Sequence, residues 1–390
     1  MIFSLHSRLV ELWLLKINFY VIVTGSGLAG LTTRVKLLEG VLSVVLVEKA
    51  GRTGGNSIKA SSGINGVPTK FQKKEDGDSL ENFYSDTIRS GKDILAQDSA
   101  RAIQWLPEDC GLDLSVVARL GGHSFARTHH SSGALPSGFA IVSTLQKKVQ
   151  LSDKVQVFTL TRFVDFIRND ETVLGITAQN ETDSKKMSLF AKNIMDQIHV
   201  HPTGFIQLKD KTSINSKSKF LCGELLRGIG GILFSSTTGK RFVNELTTRD
   251  EVTKNVLTAI VVSEEDFETA KSHIGFYMSQ QLIKLREIVP DIYTSAHSFE
   301  DGIVEYNKHI CNDILQRDIF GARMGSTFYF GFVTPVLNFS MGGIETNIDS
   351  QVTIRDVRGC VHGANRLGGS SLLECVVFGT RVSEHNMNKQ

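Results

Sequence analysis

Proline is scarce, with six in 390 residues against a usual share of about 5%. Proline-rich spacers between domains are therefore excluded. Cysteine is sparse too: Cys110, Cys222, Cys311, Cys360 and Cys375. An odd count without a close pair argues against a disulfide scaffold and fits a reducing compartment. No CxxC pair is present for zinc or dithiol chemistry, and no CxxCH for haem attachment. Charge of one sign is lacking as well. The 43 basic and 41 acidic residues leave +2, which removes any global electrostatic reason to bind nucleic acid or an anionic membrane. Long apolar runs are missing. The stretch from Met1 to Val23 is interrupted by Arg8, Glu11 and Lys16, so it forms no clean membrane span, and the same charges break the core a secretory leader needs. Residues 1–18 read as an N-terminal extension.

What is present belongs to a globular chain. Hydrophobic residues make up 41% and charged residues 22%, enough to bury a sizeable core. At roughly 150 residues per domain, the length allows two or three folded units. No internal repeat or low-complexity tract interrupts it.

Near the N-terminus a βαβ unit is legible. FYVIVT (19–24) is a short, β-branched apolar run that reads as a buried parallel strand. GSGLAG follows, then LTTRVKLLEG with helical spacing of Leu31, Val35 and Leu38 and a stop at Gly40. A second apolar run, Val44 to Val47, ends at Glu48. Gly25, Gly27 and Gly30 form GxGxxG at the strand-to-helix turn, where they permit the tight turn, close approach to a pyrophosphate and close helix–strand packing. The helix N-terminus offers free N–H groups to phosphates. Glu48 stands where a carboxylate accepts from ribose hydroxyls. The alternative is a glycine-rich turn with no ligand. Glycine-rich GRTGGNSIKASSGING (51–66) reads as loop and suits an extended dinucleotide such as FAD over NAD.

Further along, Asp78–Lys92 reads as a polar helix, and Lys147–Phe166 as short strands. Thr172–Ala178 and Met187–Ala191 read as a hairpin. From Val252 to Phe320 the pattern is helical and amphipathic. After Val333 it returns to strand and turn, and a last helix begins at Ser370 or Ser371.

Eight stretches in order resemble the flavoproteins of the fumarate reductase and succinate dehydrogenase family, particularly its soluble eukaryotic-type fumarate reductases. They are VIVTGSGLAGLTT (21–33), GGNSIKASSGING (54–66), GGHSFARTHHSSG (121–133), HVHPTGF (199–205), GELLRGIGGIL (223–233), TGKRFVNELTTRD (238–250), TPVLNFSMGG (334–343) and VHGANRLGGSSLLECVVFG (361–379). The resemblance implies an α/β fold: a doubly wound, Rossmann-like FAD-binding domain (19–200 and 331–390) interrupted by a smaller α+β capping domain (201–330). It implies non-covalent FAD, because Asn56 stands where membrane-bound relatives carry a flavin-linked histidine. Gly25, Ser26, Gly27, Leu28, Ala29, Gly30, Glu48, Lys49, Gly55, Asn56, Ser57, Ser62, Gly63, Asp356, Ser371 and Leu372 are the implied cofactor contacts.

The implied reaction is reduction of fumarate to succinate. Arg249 is the proton donor, fed by Glu224 and Arg227, which share a face if their segment is helical. Arginine is an unusual acid, since its pKa lies above about 12. His201 and Arg366 hold the dicarboxylate, with Asn338 where the family places a second histidine. Asparagine donates a hydrogen bond but carries no charge, which opens a different enoate as substrate. Aspartate oxidase, urocanate reductase and ketosteroid dehydrogenase are the alternatives of that kind.

Two family segments have no counterpart in the sequence. After Asn193 a glycine turn, a TGDG-type loop and a helix are absent, and AKNI runs directly into MDQIHVHPTGF. Around Gln351–Cys360 a strand and a GEVSGG motif are replaced, with Asp356 in the glutamate position. A non-catalytic family member is therefore a third reading. The expected electron donor is a small reduced flavin or a separate reductase, and the expected compartment cytoplasmic or mitochondrial.

Overall fold

The computed structural model describes residues 21–40, 43–88, 94–133, 135–152, 155–169, 172–190, 193–195, 203–206, 220–247, 249–252, 258–286, 296–310, 313–318, 320–335, 344–346, 352–357 and 366–388. The N-terminal extension lies outside them.

The chain enters through β1 (Val21–Thr24), α1 (Leu28–Glu39) and β2 (Val44–Val47). There follow β3 (Ile64–Asn65), α2 (Leu80–Ile88), α3 (Ile94–Glu108), β4 (Val116–Ala118), β5 (Thr128–His130) and α4 (Ser137–Gln150). Then come β6 (Val155–Phe158), β7 (Thr161–Asn169), β8 (Thr172–Asn180), β9 (Lys186–Phe190) and β10 (Asn193–Met195).

Strands β10-β1-β2-β6 make one parallel sheet. Val21–Thr24 and Val44–Val47 are buried throughout, because this sheet is covered on both faces and has no side for polar residues. On one face the antiparallel meander β7-β8-β9 places Ile176, Ala178 and Leu189 against Ile22, Val45 and Val47. On the other, Leu37 of α1 packs with Val21, Val23, Val44 and Leu46. Alternation in β8 thus buries one face of a hairpin, as its sequence pattern implies.

A second sheet is antiparallel. Its elements are β11 (Thr203–Ile206), α5 (Leu225–Gly228), β12 (Ile232–Ser235), α6 (Arg249–Val252), β13 (Thr258–Ser263), α7 (Glu264–Phe267), α8 (Lys271–Ser279), β14 (Lys284–Arg286), α9 (Ala296–His309) and β15 (Phe328–Pro335). The order is β11-β15-β13-β12, with β14 also on β15. Its two faces carry separate apolar clusters, one around Leu226, Ile260 and Tyr277, the other around Phe234, Phe299 and Phe330. The chain closes with β16 (Ile344–Thr346), β17 (Val352–Val357) and α10 (Ser370–Met387), the last packed along α1.

The helical expectation for Val252–Phe320 is wrong over 258–263 and 284–286. TAIVVS is entirely buried and pairs with both β12 and β15. Its β-branched run fits a central strand, and the helical spacing on either side masked it. Lys147–Gln150, expected in a strand, completes α4 instead. β16 and β17 pair with each other as a separate two-stranded sheet.

Candidate active site

The glycine-rich turn is built as its residues require. Gly25 has φ +88°, a left-handed conformation that suits glycine, and its N–H donates to the Val47 carbonyl at 2.8 Å. A Cβ on Gly30 would lie 2.2 Å from the Gly25 carbonyl oxygen, so only glycine lets α1 seat so closely on the strand. Gly27 is the extended N-cap residue of α1. Leu28 and Ala29 occupy its first turn and are buried.

Glu48 directly follows β2, is buried, and its carboxylate turns onto this loop. It accepts from the Ser26 N–H at 2.9 Å, from the Ser26 hydroxyl, and from the Ala50 N–H at 2.8 Å. The second glycine loop folds over the first: Gly54 donates to the Ser26 carbonyl at 2.9 Å, and Ser57 Oγ accepts from the Leu28 N–H at 3.1 Å. Gly55 lies beside Gly27, while Lys49 and Asn56 are exposed at the rim. Ser62 and Gly63 are buried next to β5. Ser62 Oγ has no hydrogen-bond partner among the described residues, an uncommon state for a buried hydroxyl. Ser371 and Leu372 lie in the first turn of α10. The close-packed glycines, the opening helix and the waiting Ser62 hydroxyl together fit an extended dinucleotide. Asp356 lies in β17.

A second cluster gathers around α5. Glu224 is the N-cap residue of α5, and one turn brings Arg227 to it, Nη2 to Oε1 at 3.4 Å. Both are buried. Arg227 Nη1 also donates to the Glu245 carbonyl at 2.7 Å. Glu245 is fully buried and receives Arg241 Nε at 3.0 Å, Arg317 Nη1 at 2.8 Å and the Leu233 N–H at 3.1 Å. Burial pushes its carboxyl up, but Arg317 and Arg241 outweigh burial and hold it below the ordinary range. Arg241 in turn is bidentate to Asp313. Arg317 Nη2 closes the frame on the Arg227 carbonyl at 2.9 Å. Buried charges are tolerated here because each has its partner.

Glu224 faces the loop that carries Arg366, which is itself buried. A Cβ on Gly368 would come 2.4 Å from Glu224 Oε2. The loop is further held by Asn65 and His123, two residues to which the sequence assigned no role. Arg127 is locked by Asp78 and Asp86, at 2.7 Å each, behind His123. The His123 imidazole is held down at a pKa of about 4, first by burial and then by Arg127. Gly122, one residue earlier, donates to the Leu246 carbonyl at 3.0 Å, tying the GGHS motif to the segment that leads into Arg249. Arg249 opens α6. His201 and Asn338 lie outside the described residues. Glu224, Arg227 and Arg366 are thus brought to one place, separated in the sequence by up to 142 positions (Glu224 to Arg366).

A dinucleotide turn and a buried Glu–Arg pair in one chain fit a flavin-dependent class of protein. The FAD binding domain family matches residues 20–194 and 186–372. The chain belongs to that family, in its fumarate reductase and succinate dehydrogenase flavoprotein branch, and FAD is its cofactor. It is 36% identical to fumarate reductase 1 of Saccharomyces cerevisiae, covering 94% of this chain and 98% of that protein. Identity to the fumarate reductase of Schizosaccharomyces pombe is 29%, over 93% of this chain and 88% of that one. The fold is that of the flavocytochrome c3 fumarate reductase in its open conformation, with a TM-score of 0.68 at 24% identity, covering 96% of this chain and 79% of that chain. The yeast alignment runs over 466 positions against a chain of 390, so at least 76 positions belong to the relative alone. The family match divides at 186–194, over β9 and β10. No helix among the described residues is long and apolar enough to cross a membrane.

Proposed function

We propose that this chain is an FAD-dependent oxidoreductase that reduces fumarate to succinate. The observation that carries this reading is the buried Glu224–Arg227 pair set against the Arg366 loop at Gly368. Reduced FAD, when bound, supplies a hydride to one alkene carbon. The chain's own residues do the rest. Arg366 is suited to clamp one substrate carboxylate with two parallel N–H donors, and His201 and Asn338 are assigned to the other end. Arg249 delivers a proton to the second alkene carbon. A guanidinium is a weak acid and must be reprotonated at once, which is the role of Glu224 and Arg227. Glu245, Arg241 and Arg317 keep Arg227 from swinging away. The sheet of β11 to β15, which runs to Pro335 and so past the expected bound of 330, acts as a cap that closes over the dinucleotide domain and excludes water. The FAD contacts are those of the two glycine loops, Glu48, Ser62, Gly63, Asp356 and the α10 first turn. Electrons arrive from a small reduced flavin or a separate reductase.

The test is the purified full chain reconstituted with FAD. Flavin absorbance with fumarate reduction by a reduced dye, lost in Arg249→Gln and Glu224→Gln, is the expected result. A flavin-loaded protein that prefers another enoate would replace fumarate as substrate.

One observation favours a second reading, a family member that does not catalyse. Among the described residues β10 is an edge strand of the parallel sheet, and β16–β17 stands apart from it. Set beside the family it resembles, the sequence lacks expected segments at these two points. A colourless protein that cannot be reconstituted with FAD decides for that reading.

A further inference from the structure

The GGHS motif contains a histidine to which neither the dinucleotide turn nor the proton pair assigns a task. Its Nε2 lies 2.8 Å from the carbonyl oxygen of Gly368, and Asn65 Nδ2 lies 2.7 Å from the same oxygen. We propose that Asn65 and His123 are positioning residues, which fix Arg366 and the first turn of α10 by clamping the Gly368 carbonyl from two sides. The proposal rests on the reading that Arg366 holds a substrate carboxylate.

Hydrogen-bond chemistry fixes both side chains in the required state. A carbonyl only accepts, so the Asn65 atom facing it is the amide nitrogen and the His123 atom facing it carries the proton. The His123 Nδ1 lone pair then points to Arg127 Nη1, 3.3 Å away. Asn65 is held further by Thr128, whose hydroxyl donates to Oδ1 at 2.6 Å, and it reaches the Ser370 hydroxyl at 3.0 Å. Asn65, His123, Arg127 and Thr128 are all buried, so water does not compete for these bonds.

The clamped segment needs such help. Gly368 and Gly369 have no side chains to hold them, and Gly369 adopts φ +77° as the N-cap of α10. Paired glycines retain the most backbone freedom of any residues, and here they join Arg366 to the helix. A Cβ at Gly369 would lie 2.3 Å from Asn65 Oδ1, so Asn65 is packed directly on this turn. Glu224 lies against the same residue, where a Cβ on Gly368 would come 2.4 Å from its Oε2. One carbonyl therefore sets the spacing between the carboxylate clamp and the proton pair.

The experiment is calorimetric titration of the FAD-loaded full chain with succinate, alongside steady-state kinetics. Asn65→Leu and His123→Asn remove a donor at the carbonyl. Each is expected to weaken succinate about tenfold, the effect of one lost hydrogen bond of about 1.4 kcal/mol, and to raise the KM for fumarate in step. His123→Gln returns an amide N–H to the Nε2 position and restores affinity to within about threefold. Thr128→Val removes only the hydroxyl that orients Asn65; it is expected to weaken succinate measurably, and it carries the test where the larger changes impair folding. All four are reconstituted with saturating FAD and compared at equal flavin absorbance. Unchanged succinate affinity in Asn65→Leu, His123→Asn or a folded Thr128→Val overturns the clamp. Equal loss in His123→Gln and His123→Asn overturns it too, since packing rather than donation would then matter. A parent chain that holds FAD but does not bind succinate overturns the reading of Arg366 itself, and the clamp's role with it.

Discussion

Replacing Gly368 by alanine tests the meeting of Glu224 with the Arg366 loop. The added Cβ would lie 2.4 Å from Glu224 Oε2, 2.7 Å from Leu120 Cβ and 3.0 Å from Leu120 Cδ1. Ordinary contact begins at 3.4 Å, so the carboxylate must retreat by about 1 Å, and misplacement on that scale costs on the order of 100-fold in rate. Overpacking adds about 1–3 kcal/mol of lost stability. The matched control is Gly275→Ala. Gly275 lies within α8 with nothing within 4 Å of a Cβ, so alanine there stabilises by roughly 0.5–1 kcal/mol and leaves the rate alone. The assay is fumarate reduction by the FAD-loaded proteins, normalised to flavin absorbance, with thermal unfolding alongside. A folded, flavin-loaded Gly368→Ala chain turning over within about twofold of the parent would refute the claim that Glu224 works from this position.

Other parts of the molecule make predictions of their own. Arg34 is fully buried in α1, and its Nε, Nη1 and Nη2 have no hydrogen-bond partner among the described residues. Burial lowers its pKa to about 10, and the arginine remains charged in both folded and unfolded chains at neutral pH. The cost is therefore constant below about pH 10, and Arg34→Leu is expected to raise stability by about 3 kcal/mol; a lower melting temperature in that variant contradicts this. His129 and His273 are both depressed to about 4 from 6.5 by burial, while His130 is pushed well below its ordinary value, chiefly by burial and then by His273. Below about pH 6.5 the unfolded chain takes up protons that the native one refuses. Each histidine's contribution, about 3 kcal/mol for His129 or His273, is full above that pH and lost as pH falls toward about 4. Urea unfolding between pH 7.5 and 4.5 reads this directly, and a flat profile sinks it.

Much of the dinucleotide half was legible because its signals are local. A four-residue apolar strand, glycines at fixed offsets and a carboxylate at the next strand's end act on neighbouring backbone, so Val21–Thr24, Gly25, Gly30, Val44–Val47 and Glu48 were readable in order. The hairpin of β7 to β9 was only partly so: alternation showed β8 and β9 but not that α4 extends to Gln150. β13 was hidden, since six buried residues without alternation look the same in a helix and in a central strand.

By itself the sequence determined the βαβ turn, the three-residue spacing of Glu224 and Arg227 and the family to which the chain belongs. Each depends on residues a few positions apart or on motifs kept in order. Tertiary structure alone decided that Glu245 gathers Arg241 and Arg317, that TAIVVS is a strand, and that Asn65 and His123 close on one carbonyl 303 and 245 residues away. Contacts at such separations leave no periodicity to read; they exist only once burial has removed water and left each polar group to find its partner.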